Sequence, residues 1–302
     1  MQHHRLSGRD LFAAALIVLI WGSNFVAMKI GLRDFTPFQL GAARYLCAAL
    51  PLILFLPMPK MARKWLLLYG LFQGVGQFGF VFLSLKIGMT AALASVLMQT
   101  QVFFTALFLF IGFREKPGAP LTAGLTLAAI GLGCIAMNYV GPGGGNGTTA
   151  AGFVLCLSGA SMWAASNIVV RLAQKNAPQF DPLAFLVWCS AVPVLPFLLL
   201  SLLFDPVESH TRWMAAPWQA WIAIAYLGWV ATLFAYSQWT RLIQRHGANR
   251  VAPFSLGVPV VGLSSGVLAL GESIGGWQWA GIAFIVAALA CVMLGPRLVR
   301  AR

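Results

Sequence analysis

Long runs of apolar residues separated by short polar clusters repeat along this chain. A helix rises about 1.5 Å per residue, so roughly 20 apolar residues cross the hydrocarbon core of a bilayer. Ten runs meet that length, and they predict helices over 11–31, 37–57, 65–86, 90–112, 118–139, 150–172, 183–204, 217–240, 250–271 and 276–295. Spanning strands are excluded, because isolated strands leave backbone groups unpaired in lipid and barrel strands alternate apolar with polar. The longest connection, 205–216, holds Pro206, Glu208, His210 and Arg212 and leaves no room for a soluble domain. The expected fold is an all-α polytopic membrane protein. Arg5 and Arg9 before the first run imitate a signal peptide. The stretch from Leu11 exceeds signal length and lacks a small-residue cleavage site, so it is expected to remain as span one.

Composition agrees: of 302 residues, 60% are hydrophobic and 9% charged, against about 25% charged in soluble domains. The net charge of +13 would suit a nucleic-acid partner only with basic clusters on a soluble face, and none is present. Its distribution reads instead as topology. With the N-terminus in the cytoplasm, fifteen basic residues fall on inner segments: Arg5, Arg9, Lys60, Arg63, Lys64, Arg114, Lys116, Arg171, Lys175, Arg241, Arg245, Arg250, Arg297, Arg300 and Arg302. Four fall outside, Lys29, Arg33, Lys86 and Arg212, and Arg44 lies within span two. Lys and Arg accumulate on the cytoplasmic side, so both termini are expected there.

The two halves of the chain echo each other. Ser23-Asn24-Phe25-Val26 follows Trp21 in span one, and Ser166-Asn167-Ile168-Val169 follows Trp163 in span six; Lys29 or Arg171 comes next. Glu115 closes span four with Gly124 nine residues on, and Glu272 closes span nine with Gly281 nine residues on. The pattern predicts a duplication, 1–140 and 150–302, joined by a flexible Gly-rich outer linker at 141–149. Five spans per half is odd, so the second copy enters the membrane from the opposite face, giving two inverted five-helix repeats. Inverted repeats recur in secondary transporters, whose halves rock about a midplane site. The linker glycines are not followed by the Lys-Ser/Thr of a phosphate loop.

The ten spans, the pair Gly271-Glu272 followed by Gly281, Pro253 and Pro259 in span nine, and Arg44 in span two resemble the EamA-type drug/metabolite transporter superfamily. The resemblance covers essentially the whole chain. Thr100 stands near where that superfamily usually has proline, and Arg44 has no basic counterpart in span seven. Within the superfamily the chain is most similar to bacterial aromatic amino-acid exporters of the YddG type. The resemblance implies export of aromatic and other neutral amino acids, such as methionine or threonine, across the inner membrane. It also implies a structural role for Arg44.

Polar residues at mid-span turn inward, because facing lipid is costly. Span one offers Trp21 and Asn24, span six Trp163 and Asn167, and span three Gln73 and Gln77 among Gly70, Gly74, Gly76 and Gly79. Span four offers Gln99, Thr100 and Gln101, span eight Trp229, Thr232, Tyr236, Gln238 and Trp239, and span nine Ser255, Pro259, Ser264 and Ser265. Spans one, three, four, six, eight and nine are thus expected to line one cavity. The candidate substrate-binding residues are Trp21, Asn24, Gln77, Gln99, Trp163, Asn167, Tyr236, Ser255 and Pro259. Gln73, Arg44, Glu115 and Glu272 are candidates for gating or structural roles. Amide side chains, and carbonyls freed by the prolines, suit an ammonium and a carboxylate, while Trp and Phe faces suit an apolar side chain. Plainer readings stand beside these: Trp229 and Trp239 as packing or interfacial residues, the span-three glycines as close helix contacts, and the glutamines as interhelical bonds of about 0.6 kcal/mol each.

The acids Asp10, Asp34, Glu115, Asp181, Asp205, Glu208 and Glu272 all lie at or beyond span ends. No buried carboxylate is available to be shared by a proton and a cationic drug. His3, His4, His210 and His246 are likewise outside the cores, and the five cysteines are scattered singly. No catalysis, metal or cofactor is therefore expected. The partners expected are a small neutral substrate and the lipid bilayer. The alternatives are a transporter of another uncharged or amphipathic metabolite or drug, and a channel or membrane enzyme.

Overall fold

A computed structural model describes residues 7–114, 118–139, 148–177 and 180–300. Glu115 and most of the 141–149 linker lie outside the described residues. Among the described residues the chain is helical without strands, and nine helices are long and apolar enough to cross a membrane. In chain order α1 is Gly8–Asp34, α2 Pro37–Ala49, α3 Arg63–Lys86, α4 Ala91–Phe113 and α5 Ala119–Met137. They are followed by α6 Ala150–Asn176, α7 Pro182–Phe204, α8 Trp218–His246, α9 Ala252–Leu270 and α10 Gly276–Arg300. Large apolar side chains such as Leu54, Phe55, Leu202, Leu203 and Leu268 stand exposed on the outer faces, as a lipid solvent requires.

Local chemistry sets the boundaries. Ser7 and Asp10 form a reciprocal capping box at the start of α1, and Thr36 and Gln39 form one at α2, where Pro37 occupies the first turn. The expected second span, 37–57, is not one continuous helix. α2 stops at Ala49, and one tight turn, Leu52–Leu54, follows. Pro51 has no N–H for the carbonyl of Cys47 four residues back, and it pushes Leu50 out of the helical region to φ −93° and ψ 144°. The open Cys47 carbonyl accepts instead from Trp229 Nε1 at 2.7 Å.

Departures from regular helix come in matching places. α3 widens into i→i+5 turns over Gly70–Phe78, and α8 does so over Tyr226–Phe234. α4 tightens at Met98–Thr100 and α9 at Ala252–Leu256. Both end on a left-handed residue, Arg114 at φ 54° and Gly271 at φ 65°. Packing matches too: α1 lies against α8 and α9, α6 against α3 and α4, α2 against α7, and α5 against α10. Neither half is a separate bundle, since each supplies helices that complete the other.

Small residues permit these crossings, as the span-three glycines suggested. A Cβ on Gly131 would lie 2.8 Å from the Gly281 carbonyl, and one on Gly281 would lie 2.6 Å from the Gly131 carbonyl, so α5 and α10 touch backbone to backbone. A Cβ on Gly74 would lie 2.0 Å from Pro193 Cγ where α3 meets α7. Gly74→Val is expected to cost about 1–3 kcal/mol through overpacking, read as a lower unfolding temperature of the detergent-solubilised protein. Gly112→Ala, whose Cβ would meet nothing within 4 Å, is the control expected to show no loss.

Candidate functional site

A cavity of about 410 Å³ lies where α1, α3, α4, α6, α8 and α9 converge, joined by Arg44 of α2 and Met293 of α10. Its volume falls within the range of small-molecule sites. Trp21, Asn24, Gln77, Gln99, Trp163, Asn167, Tyr236 and Ser255 all stand on its wall. Pro259 is not among the wall residues. It is buried in α9 and has no N–H to offer the Ser255 carbonyl four residues back; that oxygen accepts from the Gly257 N–H and from Gln99 Nε2 at 2.9 Å. Trp229 is also off the wall, half-exposed on the outer surface, as its packing reading has it.

One flank of the cavity is aromatic. The Trp21 ring lies 4.8 Å from Tyr236 and 5.2 Å from Trp239, both tilted, and Trp21 Nε1 donates to the Ala231 carbonyl in the widened part of α8 at 3.3 Å. Gln73 sits behind Tyr236 rather than on the main wall. Its Nε2 donates to the Tyr236 hydroxyl at 3.1 Å, and its Oε1 accepts from Ser166 Oγ. The ring of Tyr236 is thereby held from the rear by α3 and α6.

The amides differ in how far they are satisfied. Asn167 Nδ2 donates to Gln101 Oε1 at 2.7 Å. Asn24 Oδ1 and Gln77 Oε1, both buried, have no hydrogen-bond partner. Gln101, Gln174, Thr240, Met98 and Tyr69 also reach the wall, and the sequence reading had not selected them. Gln101 was visible as a third polar residue in the Gln99-Thr100-Gln101 run; the others required the helix rotations.

Arg44, expected in a gating or structural role, lies on the wall and is fully buried. Its Nε and Nη2 donate to Thr232 Oγ1 at 3.2 and 2.9 Å, and its guanidinium stands 3.7 Å over the Phe78 ring. Thr232 Oγ1 in turn donates at 2.8 Å to the Leu227 carbonyl, five residues back in the widened turn. Arg44 Nη1 has no partner. No described carboxylate lines the cavity, and no described group of His, Cys, Asp or Glu is placed to hold a metal.

The wall runs out to Arg171 and Gln174 near the C-terminal end of α6, and to Thr240 and Ile243 near that of α8. At the opposite helix ends Glu272 makes a crosslink. Its Oε1 accepts from Ala91 N at 2.7 Å and its Oε2 from Ala92 N at 2.8 Å. The first N–H groups of a helix lack partners within it and carry partial positive charge. Glu272 therefore caps α4 and ties the α9–α10 turn to it. Glu272→Ala should cost about 1–2 kcal/mol, as loss of a strong helix cap does, and lower the unfolding temperature. Glu272→Gln, which keeps one acceptor oxygen, should fall between.

Comparison with known proteins gives four findings. The model of the EamA-like transporter family matches residues 9–137 and again 150–294. A Salmonella typhimurium protein named "Probable amino-acid metabolite efflux pump" is 39% identical over 297 residues, 98% of each chain. An Escherichia coli protein of the same name is 33% identical over 293 residues, 97% of each. A solved crystal structure aligns with 96% of this chain and 98% of its own at a TM-score of 0.61 and 18% identity, a likeness of fold alone.

Proposed function

This chain belongs to the EamA-like transporter family, and on that footing we propose that it exports neutral, chiefly aromatic, amino acids across the bacterial inner membrane by alternating access. The carrying observation is the cavity wall: Trp21, Trp163, Tyr236 and Trp239 offer apolar faces, and Asn24, Gln77, Gln99 and Asn167 offer neutral polar groups. Such a lining suits an aromatic side chain on a polar, net-neutral head. The relatives named as amino-acid metabolite efflux pumps support the substrate class and the direction. Trp21, Asn24, Gln77, Gln99, Trp163, Asn167, Tyr236 and Ser255 are the proposed binding residues, with Pro259 acting through Ser255 and Gln99.

Alternating access follows from a proposed inverted repeat of 1–140 and 150–302 about the 141–149 linker. Its support is the double family match, the paired helix irregularities and the exchange-symmetric packing. With the basic residues placed on the cytoplasmic side, both termini are inside. The end of the wall at Gln174 and Ile243 then faces the cytoplasm, and the Glu272 crosslink closes the periplasmic side. This is the arrangement in which an exporter loads.

The test is flux of labelled tryptophan, phenylalanine, methionine and threonine into liposomes containing the purified protein. A pH gradient imposed and then collapsed reports the coupling. Aromatic substrates should saturate and compete. Trp163→Ala should weaken apparent affinity about two- to tenfold, the size of one aromatic contact. Transport of a dye or another metabolite with no movement of any amino acid would sink the substrate assignment and leave family membership intact.

A further inference from the structure

We propose that Arg44, Asn24 and Gln77 form a receptor for the zwitterionic head of an α-amino acid: Arg44 Nη1 donates to the carboxylate, and Asn24 Oδ1 and Gln77 Oε1 accept from the ammonium. The proposal rests on the amino-acid reading above and assigns the polar half of that site. Three unpartnered atoms of complementary type carry it. Each is buried, each belongs to a residue on the wall of the same cavity, and one is a cationic donor while two are neutral acceptors.

Arg44 makes the argument specific. A guanidinium buried among helices is expensive unless a counter-charge or a full set of hydrogen bonds meets it. Here its hydrogen-bond acceptor is one hydroxyl, that of Thr232, and the Phe78 ring covers a face. Asp10, Asp34, Asp181, Asp205, Glu208 and Glu272 are all absent from the cavity wall. A ligand carboxylate supplies the missing anion, and a charged pair of this kind is roughly twice as strong as a neutral hydrogen bond. Thr232, bonded onward to the Leu227 carbonyl, holds the side chain in place before any ligand arrives. That removes part of the ordering cost of binding.

The acceptors discriminate in the other sense. A carboxylate would be repelled by the lone pairs of Asn24 Oδ1 and Gln77 Oε1, whereas an ammonium carries three donors to meet them. The matching asparagine of α6, Asn167, donates its amide to Gln101. The ammonium end is thereby assigned to the α1–α3 side, and the aromatic flank of Trp21, Tyr236 and Trp239 is left for the side chain.

The first experiment uses the native protein in proteoliposomes. Uptake of labelled phenylalanine is inhibited by unlabelled phenylalanine, by phenylalaninamide, which lacks the carboxylate, and by 3-phenylpropionate, which lacks the ammonium. Each analogue should inhibit at least about tenfold more weakly than phenylalanine, the scale of a lost charge-assisted contact. Arg44→Lys keeps the charge without the planar fork, and is expected to raise the KM for phenylalanine while preserving its preference over the amide. Arg44→Met should remove that preference, a ratio that a merely structural residue would not move. If Arg44→Met fails to fold, the analogue series on native protein decides alone. Equal inhibition by phenylalanine and phenylalaninamide would overturn the carboxylate assignment while leaving amino-acid transport standing. Absence of saturable phenylalanine uptake by the native protein would overturn the amino-acid reading and this proposal together.

Discussion

A backbone carbonyl inside a bilayer has no water to turn to, so every interruption of a helix must be answered by another part of the protein. That constraint organises the molecule. Pro51 has no N–H for the Cys47 carbonyl, and Trp229 of α8 donates to it; Pro259 has none for that of Ser255, and Gln99 of α4 donates to it. Carbonyls in the widened turns take side-chain donors as well, for the Ala231 carbonyl accepts from Trp21 Nε1 and the Gln73 carbonyl from the Tyr45 hydroxyl at 3.4 Å. An ordinary interhelical hydrogen bond is worth about 0.6 kcal/mol. An orphaned carbonyl in hydrocarbon costs several times that, so these closures fix side chains more firmly than a typical polar contact. Three of the four join a residue before the linker to one after it. The irregularities that break the helices are also what fasten one half of the chain to the other around the cavity.

The sequence made the helices legible because lipid demands long apolar runs, and nine of the expected spans stand as helices long enough to cross. The second, 37–57, does not run as one helix: it is interrupted at Pro51, although the apolar run continues through Leu52, Ile53, Leu54 and Phe55. Most of the cavity was legible too, because polar and aromatic residues are scarce at mid-span and few sites can hold them. Rotation about each helix axis was not. Helices apolar on nearly all sides carry no strong periodic stripe to mark the inward face. Gln101, Thr240 and Tyr69 therefore went unselected, while Pro259 was placed on a wall it shapes only through Ser255 and Gln99.

Under the proposed duplication the halves would match in scaffold and differ in chemistry, and the difference would bear on how a substrate is oriented. Counting back thirteen residues from the left-handed ends of α4 and α9, Arg114 and Gly271, Gln101 corresponds to Val258. Asn167 therefore has an amide to bond, while Val258, the match of Gln101 in this count, is aliphatic and the Asn24 oxygen stays open. Arg44 likewise has no basic equivalent in α7. A site with true two-fold symmetry would offer an amino acid two equal poses with carboxylate and ammonium exchanged. Breaking the symmetry at these positions removes one of them. The irregularities of α3 are paired with those of α8 and the irregularities of α4 with those of α9, as the proposed rocking of one repeat against the other would have it. Under the proposed duplication, the scaffold that moves retains its symmetry, and the side chains that recognise the cargo have lost it.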